Sequence, residues 1–299
     1  MPEITVNGVT LAYEVFGKGP PVVWSTHGWF PRDNLAYLVA GRLSAHYRVL
    51  IWDRRNCGAS DIAISDTPTD HELWSEDLHC LLGALNMSPA YLAGACNGAA
   101  LSLFTAGRYA DDIRGLVLLA PPCHYTPETP EVAFIIDGHF HRLAEVATDG
   151  GMGAVIAESA EAWARLGSAQ AKPRDWLLNW VAETISMNPA NRERLLAMRP
   201  DVFAATMKRW AAWYAQGAGH IHGVPYEDVE SLQLPALVAH GFDPVHPRDT
   251  AEELYRHLPN AQWVEYSELY TEEEMNHAGN SWGLALPFVE KFLECNESA

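Results

Sequence analysis

The chain has 299 residues, 48% apolar and 19% charged, which is the composition of a globular protein with a sizeable core and excludes a disordered chain. Lys and Arg number 20 against 38 Asp and Glu, a net charge of −18; so acidic a surface disfavours nucleic acid and anionic membranes and leaves a small molecule as the expected partner. The N-terminal MPEITVNGVTLAYEV has no basic segment ahead of an apolar one, and no apolar run reaches membrane-spanning length, so the expected location is cytoplasmic.

In chain order, Ile4–Val6 and Thr10–Val15 flank Asn7-Gly8 and predict a β-hairpin with a tight turn. Pro21–Thr26 is a short apolar strand ending at His27-Gly28-Trp29, and Leu35–Tyr47 carries helical spacing. Arg48–Asp53 reads as a buried strand running into Arg54-Arg55-Asn56-Cys57-Gly58. A helix over 70–87, a strand over Tyr91–Ala95, a helix after Cys96 and a strand over Gly115–Ala120 follow. Near the C-terminus come a strand over Pro235–His240, a helix near 248–258, a strand over Gln262–Tyr266 and a helix near 281–294. Strands alternating with helices imply an α/β protein with a doubly wound, mostly parallel sheet. Such sheets bind ligands at the carboxyl ends of their strands, where His27-Gly28, Asp53, Cys96 and Asp243 all fall.

Residues 122–233 break the rhythm. They contain no convincing buried strand and read as helical: Phe203, Met207, Trp210 and Tyr214 share one helical face, and Trp176 and Trp180 form an i, i+4 pair. This predicts a core made of residues 1–121 and 234–299 with a helical cap, 122–233, inserted between its halves. No internal repeat and no low-complexity tract is present.

Several segments, taken together, resemble the α/β-hydrolase fold. Gly94-Ala95-Cys96-Asn97-Gly98, between a strand and a helix, resembles its nucleophile elbow. His27-Gly28-Trp29 resembles the oxyanion loop, and Asp53-Arg54-Arg55-Asn56-Cys57-Gly58-Ala59-Ser60 resembles a D-x-R-G-x-G-x-S turn with Asn56 in place of a glycine. His240-Gly241-Phe242-Asp243-Pro244-Val245-His246-Pro247 looks like the acid loop, and Asn276-His277-Ala278 stands where that fold places its histidine. The resemblance covers the chain apart from the cap. It departs from the common pattern in its cysteine nucleophile and in the acidic Glu272-Glu273-Glu274 before His277.

The resemblance implies a catalytic triad of Cys96, Asp243 and His277, in the chain order nucleophile, acid, base. Cys96 at a helix N-terminus beside an imidazole would favour thiolate. Asp243 would orient His277, which would take the thiol proton and later activate water. The backbone N–H groups of Trp29 and Asn97 are the expected oxyanion donors. Each residue also has a plainer reading. Cys96 could be a small packed residue, Asp243 a turn former before Pro244, and His277 an exposed loop histidine. The five cysteines, at 57, 80, 96, 123 and 295, are odd in number and irregularly spaced with no C-x-x-C pair, so neither a disulfide framework nor a zinc site is expected. Outside Cys96 they read as turn, helix, start of the cap and tail. His139-Phe140-His141 and His220-Ile221-His222 read as solvated loops rather than metal pairs, and 272–274 as a solvated face. No metal and no cofactor is expected.

Substrate contacts are expected from Trp29, His27, Trp210 and Trp213, since a cap over the nucleophile would bring aromatic walls to an apolar or ring-containing ligand. His27 is expected mainly to shape the oxyanion loop. The expected function is a hydrolase of esters, lactones or thioesters working through an acyl-thioenzyme. Acyl transfer by the same triad, C–C bond hydrolysis, and non-catalytic ligand binding are the alternatives.

Overall fold

The structure, a computed structural model, describes residues 1–28, 30–65, 69–122, 136–172, 174–214, 220–221, 223–277 and 282–297, with backbone only at 136, 137, 214, 220, 272, 276 and 277. The chain opens with β1 (Glu3–Val6), β2 (Val9–Phe16) and β3 (Pro21–Ser25), then α1 (Asn34–Leu43), β4 (Arg48–Trp52), α2 (Asp70–Leu85), β5 (Ala90–Ala95), α3 (Asn97–Arg108) and β6 (Ile113–Leu119). A π-helical turn at Ile136–His141 leads into α4 (Arg142–Arg165), α5 (Asp175–Leu178), α6 (Trp180–Met187), α7 (Ala190–Leu196) and α8 (Pro200–Tyr214). The two-residue strands β7 (His220–Ile221) and β8 (Val224–Pro225), then α9 (Tyr226–Ser231), precede β9 (Ala236–Ala239), α10 (Arg248–His257), β10 (Ala261–Trp263), α11 (Glu272–His277) and α12 (Leu286–Glu297).

Eight strands form one sheet in the order β1-β2-β4-β3-β5-β6-β9-β10. The β1–β2 and β2–β4 pairs are antiparallel and all others parallel. The first turn is built as its residues dictate, with Asn7 and Gly8 both at positive φ, 46° and 72°. Both faces of the central strands are covered, so they read as unbroken apolar runs rather than alternating ones. Along β3, Val23 packs with Leu78 of α2 and Leu101 of α3, while Val22 and Trp24 pack with Val39 of α1 and Phe292 of α12.

The 53–60 turn is held by hydrogen bonds and ion pairs to its buried Asp53 carboxylate. Asp53 Oδ1 accepts from Arg32 N and Nε at 2.8 and 3.1 Å, and Oδ2 accepts from Arg32 Nη2 at 3.0 Å and from Ala59 N at 2.9 Å. Gly58 lies at φ 55°, and a Cβ there would stand 2.5 Å from the Asp53 carboxylate. Asn56 occupies the left-handed region at φ 67°, which asparagine tolerates better than most residues and which explains its standing in for glycine. Its side chain bonds Asp70 and Ala63 N. Asp53→Ala is expected to cost about 3 kcal/mol or more, because it leaves the buried Arg32 cation with only Glu14, 3.1 Å from its Nη1, as a charged partner; urea unfolding measures it, and a loss near zero would mean that Glu14 alone satisfies Arg32.

Between β6 and β9 the described residues are mostly helical. Kinked at Gly151 (φ 72°), α4 packs against α5, α6 and α8. On α8 the face bearing Phe203, Met207 and Trp210 is buried. Two departures from the pattern appear here. Trp176 and Trp180 lie on two short helices broken at Asn179 rather than on one, and β7–β8 is a hairpin too short for a periodic signal. The helical segment is tied to the 53–60 turn through Asn191, which bonds Ile62 N and Ser60 O at 2.9 Å each, and through an Arg194–Asp61 ion pair at 2.8 Å. The Gly217–Gly219 breaker and Cys123 lie outside the described residues. Among those described, no helix is long and apolar enough to cross a membrane.

Candidate active site

Cys96 follows directly on β5 and caps α3, with φ 52° and ψ −122°. The strain is imposed from both sides. Cys96 N donates to Leu119 O at 3.0 Å, and Cys96 O accepts from Ala99 N and Ala100 N at 2.9 and 3.1 Å. The flanking glycines let the strand and helix close on each other: a Cβ on Gly94 would stand 2.4 Å from the Gly98 carbonyl carbon, and one on Gly98 2.0 Å from Ser25 O. A non-glycine residue is held in this region only when its surroundings over-determine it.

The ring that meets Cys96 is His246. It lies three residues after Asp243, beyond the carboxyl end of β9. Its Nδ1 is 3.0 and 2.9 Å from the two Asp243 carboxylate oxygens, and Asp243 also caps its own loop by accepting from Val245 N and His246 N. His246 Nε2 is buried and has no hydrogen-bond partner among the described residues; the ring lines the same pocket as Cys96, near enough for each group to shift the titration of the other. Burial disfavours the Cys96 thiolate, but the His246 charge and N–H, aided by the backbone N–H groups of Asn97 and Gly28, outweigh it and hold the thiol below its ordinary value. Burial likewise lowers His246, yet the sulfur charge and the Asp243 carboxylate raise it to about 10. Both shifts favour a thiolate–imidazolium pair. The Asp243 carboxyl is held below its usual range, burial notwithstanding, by the His246 bond.

The expected residues divide as follows. Cys96, Asn97 and His27 line one pocket, and Asp243 stands behind it against His246. Gly28 N–H joins Asn97 N–H at the sulfur, whereas Trp29 is outside the described residues. His277 closes α11, and its side chain is not among those described. The sequence reading did not assign a role to His246. Nor did it single out Arg54, which is fully buried, lies 4.3 Å over the Trp74 ring and donates through Nη2 to the carbonyls of Gly28 and His27 at 2.5 and 3.2 Å. It props the loop that carries the Gly28 donor.

A pocket of about 130 Å³ lies over Cys96, with His27, His139, Trp176, Trp180 and Trp282 among its walls. Of the expected aromatic contacts, Trp210 is buried edge-on against Phe140 and Trp213 stacks on His71 at 3.9 Å, while Trp176 and Trp180 are among the described residues that line the pocket. His139 is corrected: it is buried against Phe140 and Trp180 rather than solvated, and burial lowers it to about 3, a neutral ring. Glu273 and Glu274 are exposed, as a solvated face requires. Among the described residues no three His, Cys, Asp or Glu side chains are grouped to hold a metal.

Comparison with known proteins agrees with this architecture. The chain is 25% identical over 245 residues to the proline iminopeptidase of Lactobacillus delbrueckii subsp. lactis, covering 80% of this chain and 77% of that one. Its structure is similar to the enol-lactonase of Burkholderia xenovorans, with a TM-score of 0.60 at 20% identity over 98% of this chain and 100% of the other. It is also similar to an alpha/beta hydrolase of Sphaerobacter thermophilus, with a TM-score of 0.61 at 24% identity over 98% and 100%. The model of the alpha/beta hydrolase fold family matches residues 19–270, and the chain belongs to that family.

Proposed function

We propose that the protein is a cysteine-nucleophile hydrolase of acyl bonds, with residues 122–233 acting as the cap. The observation that carries this reading is the strained Cys96 at the helix N-terminus, paired with a His246 that Asp243 orients, inside a pocket with apolar walls. The thiolate attacks an ester, lactone or thioester carbonyl, and the developing oxyanion is received by the backbone N–H groups of Asn97 and Gly28. Collapse expels the leaving group, which takes the proton from His246 and leaves an acyl-thioenzyme. Water then attacks the thioester carbonyl while His246 takes its proton, and the thiolate departs with the acid product formed.

Intact-protein mass spectrometry after brief exposure to aryl esters, lactones and acyl-thioesters tests this. The expected result is a transient adduct of acyl mass on the Cys96 peptide. Turnover with no adduct under rapid quench, together with unchanged turnover in Cys96→Ala, would sink the reading.

Wall and core tryptophans separate by measurement. Trp176 is 60% exposed at the pocket rim. Trp176→Ala is expected to change the kcat/KM ratio between bulky and small acyl groups by roughly tenfold or more while leaving unfolding nearly unchanged. Trp210→Ala is expected to do the reverse, costing about 3–5 kcal/mol in urea unfolding with the acyl preference kept. If Trp210→Ala alone changes the preference, the wall has been misplaced.

A further inference from the structure

His27 is a second imidazole beside Cys96, and the proposed reaction gives it no work. It follows β3 and reaches the pocket with its side chain 26% exposed. Its ring is held between Phe30 and Trp282, with centroids at 5.0 and 4.8 Å. Its Nδ1 lies 3.3 Å from Asp33 Oδ2. Asp33 is itself fixed, since its Oδ1 caps α1 by accepting from Ala36 N at 2.9 Å.

A carboxylate can only accept, so Nδ1 carries the hydrogen, and a neutral ring then keeps a lone pair on Nε2. The ring is neutral because burial, with the positive charges of Arg54 and His246, outweighs Asp33 and lowers it to about 4. Such a nitrogen accepts a hydrogen bond well but holds a proton poorly, so it is an orienting group rather than a second base. The surrounding walls supply no Lys, Arg, Asp or Glu among the described residues, and the His246 charge is already matched by Cys96 and Asp243. A charged ligand would find no new partner there.

We infer that His27 is a substrate-positioning residue whose Nε2 accepts a hydrogen bond from a hydroxyl or N–H group on an uncharged, ring-containing acyl substrate. The inference rests on the reading of this pocket as the substrate site, though not on Cys96 being the nucleophile.

The test is calorimetric titration of the full-length Cys96→Ala protein with benzamide, its three hydroxy isomers and the matching methoxy compounds. One hydroxybenzamide is expected to bind roughly fivefold tighter than benzamide, the worth of one ordinary hydrogen bond, and tighter than its methoxy counterpart. His27→Phe in that background keeps the ring stack but has no acceptor; it is expected to retain benzamide affinity and lose the hydroxyl preference. Asp33→Asn retains a helix cap but allows an amide donor to turn the tautomer over, and it is expected to weaken the same preference. The inference is overturned if no ring probe binds, if no hydroxyl isomer is preferred, or if the preference survives in His27→Phe. Should His27→Phe not fold, an undiminished preference in Asp33→Asn overturns it. Separately, turnover retained by Cys96→Ala would remove the cysteine hydrolase reading and leave this titration intact.

Discussion

Cys96→Ala is expected to lower acyl turnover by roughly a thousandfold or more, the scale on which nucleophile removal acts when an oxyanion site remains, without unfolding the protein. Alanine faces the same positive φ as cysteine, and the two flanking glycines still allow the strand–helix closure. The melting temperature should therefore move little while the rate collapses. The same side chain should be the first alkylated. Cys57 is fully buried, and burial drives its thiol well up; Cys80 is also raised, by burial and by nearby Glu76 and Asp77. Peptide mapping after limited iodoacetamide treatment should find Cys96 modified ahead of both. Equal labelling of Cys96 and Cys80 would mean that the pairing with His246 does not persist in solution. Near-normal turnover in the alanine variant would move the nucleophile elsewhere.

What the sequence made legible was whatever local pattern determines. The apolar runs marked the central strands because both sheet faces are covered, and Gly94-Ala95-Cys96-Asn97-Gly98 marked the elbow because close backbone approach demands glycine. Asn56 in a glycine position stood out in the sequence as a departure, and its φ of 67°, which few other residues accept, explains it. The side chains that approach Cys96 were harder to read. His246 lay in plain view in the acid loop, but the resemblance placed the expected base at His277 instead. Only the Nδ1 contacts to Asp243 distinguish it from a loop histidine. The signal available was that a short loop turn can fold i+3 back on i. Trp210 could not be placed from its pattern for a physical reason too: helical periodicity identifies an apolar face and says nothing about what that face meets. Trp176, broken out of that periodicity at Asn179, reached the pocket instead. His139 was misread because a short H-x-H run carries no sign of burial.

The assignment of the base is the sharpest remaining test. His246→Ala is expected to cut kcat/KM by roughly a thousandfold and to move Cys96 alkylation to higher pH. The sign follows from the balance at the sulfur. In the folded protein, burial pushes the thiol up while the His246 charge and bond push it further down, so thiolate persists to lower pH than in a free cysteine. Removing His246 leaves burial opposed only by the Asn97 and Gly28 N–H groups, so the rising limb of the alkylation profile shifts to higher pH. Asp243→Asn should act in the same direction but less, because the Asp243 side chain is 51% exposed and water screens its charge. Its main effect should be on the rate, through loss of the acceptor that orients His246 Nδ1. The acid limb of that profile belongs to the thiolate–imidazolium pair as a unit, since coupled groups titrate together. His277→Ala is the control that decides the assignment. If His246 is the base, this variant keeps the alkylation profile of the parent and most of its turnover. If instead His277→Ala moves the profile and His246→Ala does not, the triad is Cys96, Asp243 and His277, and the His246 pairing is a packing arrangement of the acid loop.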